Sequence, residues 1–148
     1  MSEAKPAVLF LCTANSCRSQ LAEAILRQAA GDRYVALSAG LEPADAIHPL
    51  ALRVLTEKGY PVAGLRPKGV REFLGHRRVN HVIVVCASAA QACPTVWPGG
   101  AERLYWPIDD PAAAGGSEEE TLARFRQARD EIEQRIADWL DAQRLRTD

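Results

Sequence analysis

Residues 9–19 read Leu9-Phe10-Leu11-Cys12-Thr13-Ala14-Asn15-Ser16-Cys17-Arg18-Ser19, so that an apolar run ends on a cysteine and a small polar loop follows. Residues 7–11 include no polar side chain, which is typical of a parallel strand buried on both faces. Residues 19–26 carry apolar side chains at helical spacing. The stretch therefore predicts a strand, a tight loop and a helix, with Cys12 where the strand ends.

The loop between this strand and this helix has the features of an anion-binding site. Successive backbone N–H groups at such a turn can point into one cavity, and the helix start adds roughly half a positive charge. Arg18 follows Cys12 by six residues, and its planar guanidinium matches two oxygens of a tetrahedral oxyanion. We expect the same positive field to lower the pKa of the Cys12 thiol. The loop is therefore predicted to bind an oxyanion and to attack it.

An inert, buried cysteine at a strand end is the alternative interpretation of Cys12, because free cysteines are usually buried. The spacing of Cys12 and Arg18 carries little weight alone in a chain with four cysteines. The inert cysteine leaves the arginine and the polar residues of the loop unexplained, however. The nucleophile is therefore the favoured interpretation.

Composition and charge are those of an ordinary globular protein. The chain has 25% charged residues, 47% hydrophobic residues and a net charge of −1, which argues against nucleic acid or an acidic membrane surface as a partner. No apolar run approaches membrane-spanning length, and residues 1–6 lack the regions of a signal peptide. We expect a cytoplasmic protein with a single domain over residues 1–148, whose cysteines serve catalytic or metal chemistry rather than permanent disulfides.

Strands and helices alternate along the rest of the chain. Further strands are predicted over residues 34–39, 79–86 and 103–106, with helices over 49–58, 68–74 and 87–93. A last helix opens at Ser117 with a capping box completed by Glu120. Its apolar face holds Leu122, Phe125, Ile132, Ile136, Trp139 and Leu140. The pattern predicts an α/β fold with one open, four-stranded parallel sheet and helices on both faces.

Two further cysteines follow the third predicted strand. Cys86 ends that strand much as Cys12 ends the first, at the sheet edge where ligands bind. Cys93 lies seven residues on, and in a helix the two Cα atoms would be about 10.5 Å apart, whereas a disulfide needs roughly 4.4 to 6.8 Å. A Cys86–Cys93 bond would therefore require this segment to unwind. By periodicity alone, two small buried side chains on one helix face are the simpler interpretation.

The loop from Cys12 to Ser19 resembles the Cys-x5-Arg-Ser phosphate loop of low-molecular-weight protein tyrosine phosphatases, and more closely that of the thioredoxin-coupled arsenate reductases built on that fold. The likeness extends through Glu23, the Ser38-Ala39-Gly40 run, the second cysteine pair and residues 106–111 to the terminal helix. It implies an enzyme, and nothing in the sequence requires a metal or an organic cofactor. Its substrate would be arsenate, with phosphate or sulfate as competing oxyanions, and its reductant thioredoxin.

The resemblance also implies roles for individual residues. Cys12, Cys86 and Cys93 would act in turn in a thiol/disulfide relay that reduces arsenate to arsenite, with Arg18 stabilising the oxyanion and Asp110 protonating the leaving oxygen. The substrate-binding loop would comprise Thr13, Ala14, Asn15, Ser16, Cys17, Arg18 and Ser19. On composition alone Asp109-Asp110-Pro111 is an ordinary turn. Cys17 serves either loop packing or a protective disulfide with Cys12.

Ion sites receive less support. The separations Cys12-x4-Cys17 and Cys86-x6-Cys93 fit zinc poorly, so no metal site is predicted. Some of the resembling reductases hold a potassium ion near residues that match Asn15, Glu23 and Ser38, helped by an aspartate in the region of residues 62–65. That region has no acidic residue in this chain.

Two other functions remain open. A phosphatase for tyrosine phosphate or small phosphoesters would use the same loop, although Ala112 and Ala113 replace the aromatic residues that grip a phenyl ring in those enzymes. A non-catalytic oxyanion-binding or redox-sensing protein would bind arsenate or phosphate without turnover. Replacing Cys12 by serine separates that protein from either enzyme.

Overall fold

The computed structural model describes residues 5–73, 75–86 and 100–147. Within these ranges, no helix is both long enough and apolar enough to cross a membrane. The elements follow in the order β1 (Ala7–Cys12), α1 (Arg18–Ala30), β2 (Val35–Gly40), α2 (Pro49–Glu57), a short 3-10 helix (Val70–Glu72), β3 (His81–Val84), β4 (Glu102–Tyr105) and α3 (Glu118–Thr147).

The four strands form one parallel sheet in the order β2-β1-β3-β4. β1 lies in the middle, where Cys12 pairs with Gly40 of β2 and Leu11 pairs with Val84 of β3. Every side chain of β1 is buried, so both faces of the sheet are covered at its centre. The predicted α/β class with an open, four-stranded parallel sheet is confirmed.

The terminal helix α3 starts where its capping box predicts. The N–H of Glu120 donates to Ser117 Oγ (3.1 Å), and Glu120 Oε1 accepts from the N–H of Ser117 (3.2 Å). α3 packs against α1 and α2. All the apolar residues predicted for its inner face are buried, namely Leu122, Phe125, Ile132, Ile136, Trp139 and Leu140.

Some element bounds differ from the prediction. β3 ends at Val84, although the N–H of Val85 still donates to the carbonyl of Leu11 (2.9 Å), so the chain continues beside β1 toward Cys86. β4 begins and ends one residue earlier than predicted. The helix predicted over residues 68–74 is a single 3-10 turn, because the N–H and carbonyl of Lys68 are bonded to Asn15 and Gly40 instead. The helix predicted over residues 87–93 lies outside the described residues.

Candidate active site

Cys12 is the last residue of β1, and residues 13–17 form the loop that leads into α1. The N-cap residue of α1 is Cys17, whose side chain makes no capping hydrogen bond. The first N–H groups of α1 are therefore not capped by that side chain, and the helix starts beside Cys12, where its positive end favours an anion.

The loop is held from outside by the segment of residues 41–48. A trans peptide unit points its N–H away from its C=O. Because the loop carbonyls point toward this segment, the loop N–H groups point to the opposite side, as an anion site requires. Four carbonyls accept in this way: that of Cys12 from Leu41 (3.2 Å), Thr13 from Glu42 (2.8 Å), Ala14 from Ala44 (2.9 Å) and Ser16 from His48 (2.9 Å). No motif in residues 41–48 marks this role in the sequence.

Two residues show how tightly the loop is packed. Gly40 stands against it, and a Cβ at this position would lie 2.6 Å from the carbonyl oxygen of Thr13 and 2.9 Å from the nitrogen of Asn15. Asn15 has a φ of 53°, the left-handed conformation that asparagine adopts more readily than most residues, whereas Ala14 has no positive φ. The loop is therefore a close-fitting backbone cradle.

The thiol of Cys12 is only 4% exposed and accepts hydrogen bonds inside this cradle. Its sulfur lies 2.8 Å from Ser19 Oγ and 3.2 Å from the backbone nitrogen of Asn15. Burial raises the pKa of the thiol above its ordinary value, and the hydrogen bonds from Ser19 and Asn15 only partly counteract it. The expected lowering of the pKa by Arg18 is therefore wrong for this structure, because desolvation dominates and the guanidinium bonds elsewhere.

Arg18 and Asp110 stand on the far side of the same pocket. Arg18 Nη1 donates to the carbonyl of Ile108 (2.8 Å), and Arg18 Nη2 lies 3.9 Å from Asp110 Oδ2. The pocket has a volume of about 290 Å³ and is lined by Cys12, Thr13, Ala14, Ser16, Cys17, Arg18 and Asp110. The structure thus brings together a nucleophile, a guanidinium and a carboxyl, the groups that a reaction at an oxyanion uses.

Cys86 lies beside the cradle from the neighbouring strand. Its thiol is 1% exposed, and its sulfur lies 3.5 Å from the hydroxyl of Thr13, the residue that follows Cys12. A negative charge on Cys86 would oppose ionisation of Cys12, which shows that the two thiols are close enough to interact. Cys93, the third predicted thiol of the relay, lies outside the described residues.

Cys17 is the remaining described cysteine, and it is buried at the N-cap position of α1. Its sulfur lies 3.7 Å from the hydroxyl of Ser16, and burial raises its pKa to about 11. Burial raises the pKa of Cys12 as well, so the pKa does not separate the two thiols. The burial of Cys17 agrees with packing as its main role.

A buried ionic cluster lies behind the loop, where sequence reasoning placed no cation. Lys68 Nζ lies 3.2 Å from Glu23 Oε1 and 3.3 Å from Ser38 Oγ, and Ser38 donates to the same Glu23 oxygen (2.7 Å). The residues that match potassium ligands in the resembling reductases therefore do not fit a potassium ion here, because a lysine amino group lies against two of them. Within residues 5–73, 75–86 and 100–147, no cluster of three or more His, Cys, Asp or Glu side chains suits a metal.

Comparison with known proteins agrees with this geometry. The family model for low molecular weight phosphotyrosine protein phosphatase matches residues 7–148. An arsenate reductase of Halalkalibacterium halodurans is 39% identical to the chain over 132 residues, which are 89% of this chain and 93% of that protein.

Solved structures share the architecture over most of the chain. A thioredoxin-dependent arsenate reductase of Corynebacterium glutamicum has a TM-score of 0.77 at 30% identity, and the match covers 98% of this chain but only 65% of that one. An arsenate reductase in the phosphate binding state has a TM-score of 0.72 at 25% identity, covering 93% of this chain and 98% of that one. From the cradle around Cys12 and the match over residues 7–148, the chain belongs to the low molecular weight phosphotyrosine protein phosphatase family.

Proposed function

We propose that the chain is an arsenate reductase whose thiols Cys12, Cys86 and Cys93 act in sequence and are regenerated by thioredoxin. The observation that carries the proposal is a second buried thiol, that of Cys86. Its sulfur contacts the hydroxyl of Thr13, a residue of the loop that surrounds Cys12. A phosphatase needs one thiol at this position. The names of the relatives, including a thioredoxin-dependent reductase, support the same reaction.

The reaction begins with arsenate in the pocket above Cys12. Loop N–H groups and the Arg18 guanidinium, turned from Ile108 toward the substrate, bind the arsenate oxygens. The Cys12 thiolate attacks arsenic, a sulfur–arsenic bond forms, and one arsenate hydroxyl leaves as water after taking a proton from Asp110. Ser19 and the N–H of Asn15 stabilise the thiolate until it attacks.

Cys86 then carries out the reduction. Its thiolate attacks the sulfur of Cys12, a disulfide forms, and the electron pair of the sulfur–arsenic bond passes to arsenic, which leaves as arsenite. Two thiols have been oxidised and As(V) has become As(III), so the electrons balance. Cys93 next attacks Cys86 and releases Cys12 as a thiol, and the dithiol of thioredoxin reduces the Cys86–Cys93 disulfide.

The test is arsenate-dependent oxidation of NADPH in the presence of thioredoxin and thioredoxin reductase. We expect turnover by the wild type and none by Cys12→Ser, Cys86→Ser or Cys93→Ser. Hydrolysis of p-nitrophenyl phosphate by the same proteins is the internal control, because of the three thiols that reaction needs only Cys12. Full arsenate turnover by Cys86→Ser would refute the relay.

A phosphatase is the second candidate, and one observation favours it. Cys12, Arg18 and Asp110 line a single pocket, which is sufficient for hydrolysis of a phosphate monoester through a covalent intermediate. The exposed Ala112 and Ala113 beside Asp110 offer no ring to grip a phenyl group. Hydrolysis of aryl phosphate without any turnover of arsenate would establish this candidate in place of the reductase.

A further inference from the structure

Lys68 occupies an unusual position for a lysine, since its side chain is buried directly behind the Cys12 loop. Its three N–H donors meet three oxygens: Arg66 O at 2.8 Å, Glu23 Oε1 at 3.2 Å and Ser38 Oγ at 3.3 Å. The residue is 9% exposed, and Glu23 and Ser38 are buried with it. Lysine is rarely buried unless it is paired, so the cluster is a built ionic contact between α1, β2 and the segment that carries Lys68.

The backbone of Lys68 is bonded to the loop itself. Its N–H donates to Asn15 Oδ1 (2.8 Å), and its carbonyl accepts from the N–H of Gly40 (2.8 Å). Because a backbone N–H can only donate, this bond fixes which end of the Asn15 amide is oxygen. The amide nitrogen of Asn15 then donates to Ser19 Oγ (2.7 Å).

These bonds run in one direction toward the nucleophile. Since Ser19 Oγ accepts from Asn15, its own hydrogen is free to donate to the Cys12 sulfur 2.8 Å away. Hydrogen bonds aligned head to tail strengthen one another in a buried site. The backbone N–H of Lys68 is therefore linked to the Cys12 sulfur by a chain of hydrogen bonds through the side chains of Asn15 and Ser19.

We propose that Lys68 is a positioning residue of the oxyanion site: its amino group supplies, from within the chain, the buried positive charge beside Glu23 and Ser38 and holds Asn15 and the loop in binding geometry. The half-exposed Arg27 bonds the other carboxylate oxygen of Glu23. The protein therefore needs no monovalent cation at this position. The inference rests on the oxyanion site of the proposed function, and it does not depend on the reduction of arsenate.

The test compares Lys68→Ala with the wild type by calorimetric titration of inorganic phosphate in choline chloride. The dissociation constant is expected to rise roughly tenfold or more, as metal affinity does when a group that orients the metal ligands is removed. Replacing choline by ammonium or potassium at equal ionic strength restores the affinity, because a small cation then fits between Glu23, Ser38 and the carbonyl of Arg66. Lys58→Ala is the matched control, since Lys58 forms an exposed ion pair with Glu133.

A second measurement needs no phosphate. The rate at which iodoacetamide alkylates Cys12, located by peptide mass spectrometry, is expected to fall in Lys68→Ala and to recover with ammonium or potassium. If the wild type binds no phosphate, the proposal of an oxyanion-binding site is wrong. The alkylation rates still decide the role of Lys68. Rates and affinities equal to those of the wild type would overturn the proposal, as would a loss that no cation reverses.

A neutral double variant covers the case in which Lys68→Ala does not fold. Glu23→Gln with Lys68→Met leaves no unpaired buried charge, which is the main cost of breaking such a pair. We expect this variant to fold, to bind phosphate weakly and to be insensitive to the cation, because the carboxylate is gone. Phosphate affinity equal to that of the wild type would show that the charge of Lys68 is irrelevant to the loop.

Discussion

Two opposing effects act on the Cys12 thiol at the scale of single residues. Burial raises its pKa, while the hydroxyl of Ser19 and the backbone N–H groups of Asn15 and Ser19 lower it by stabilising the thiolate. The Arg18 guanidinium bonds to the carbonyl of Ile108 and lies 3.9 Å from Asp110 Oδ2. The reactivity of Cys12 toward small electrophiles therefore depends on these three hydrogen bonds.

Replacing Ser19 by alanine tests that dependence. The variant loses a bond that favours the charged form, so the pKa of Cys12 rises further and less thiolate is present at a given pH. Alkylation of Cys12 by iodoacetamide at pH 8 should slow by roughly tenfold, the usual effect of one hydrogen bond to a charged group. Ser117→Ala is the control, because it removes a helix cap far from the thiol. An unchanged rate in Ser19→Ala would show that the bond does not stabilise the thiolate.

Site residues that lie close together in the sequence could be predicted from it. Residues that support the site from a distant segment could not. Cys12 and Arg18 lie in one loop whose strand and helix have clear apolar patterns. Lys68 reaches the same loop from another segment, and nothing near it in sequence distinguishes it from a surface lysine. The direction of the Cys12 pKa was also wrongly predicted, because burial and the orientation of Arg18 are properties of the folded chain.

At the scale of elements, the cradle is made by three pieces rather than one. β1 and α1 supply the loop, the segment of residues 41–48 binds its carbonyls, and Gly40 at the end of β2 allows the close approach. The alternation of apolar patterns predicted the strands and helices. The segment of residues 41–48 carries no such pattern, because its role is played by backbone N–H groups, which every residue except proline has.

Gly40→Ala tests the close approach. The added methyl would lie 2.6 Å from the Thr13 carbonyl oxygen, a backbone atom that cannot move without shifting the loop. We expect phosphate binding, measured by calorimetry, to weaken by at least tenfold. Gly115→Ala is the matched control, since a Cβ there meets nothing within 4 Å. Equal phosphate affinity in both variants would mean that the loop tolerates displacement.

The whole molecule brings the thiols together through strand order. β1 and β3 are neighbours in the sheet although α1, β2 and α2 separate them in sequence. Cys12 and Cys86 therefore reach the same sheet edge from adjacent strands, as the pattern of alternating strands and helices predicts. The order of the strands thus brings the two thiols to one edge of the sheet, and the loop after β1 forms the site for the oxyanion.

Global stability should fall at alkaline pH partly because of Cys17. Its pKa is about 11 in the folded protein against an ordinary value of 9.0, so the folded chain holds this proton more tightly than the unfolded chain does. Its contribution is therefore intact below about pH 9 and is lost as the pH rises through 11, by roughly 2 to 3 kcal/mol. Urea unfolding of the wild type and Cys17→Ser at pH 8 and pH 11 measures the difference. An equal loss of stability in both proteins would contradict the assignment.

A single turnover of the Cys93→Ser variant tests the central claim most directly. Without the third thiol, the reaction should stop once Cys86 has attacked Cys12. After arsenate is added in the absence of thioredoxin, we predict one equivalent of arsenite and a Cys12–Cys86 disulfide detected by peptide mass spectrometry. Arsenite without that disulfide, or free Cys12 and Cys86 thiols with no arsenite, would contradict the account.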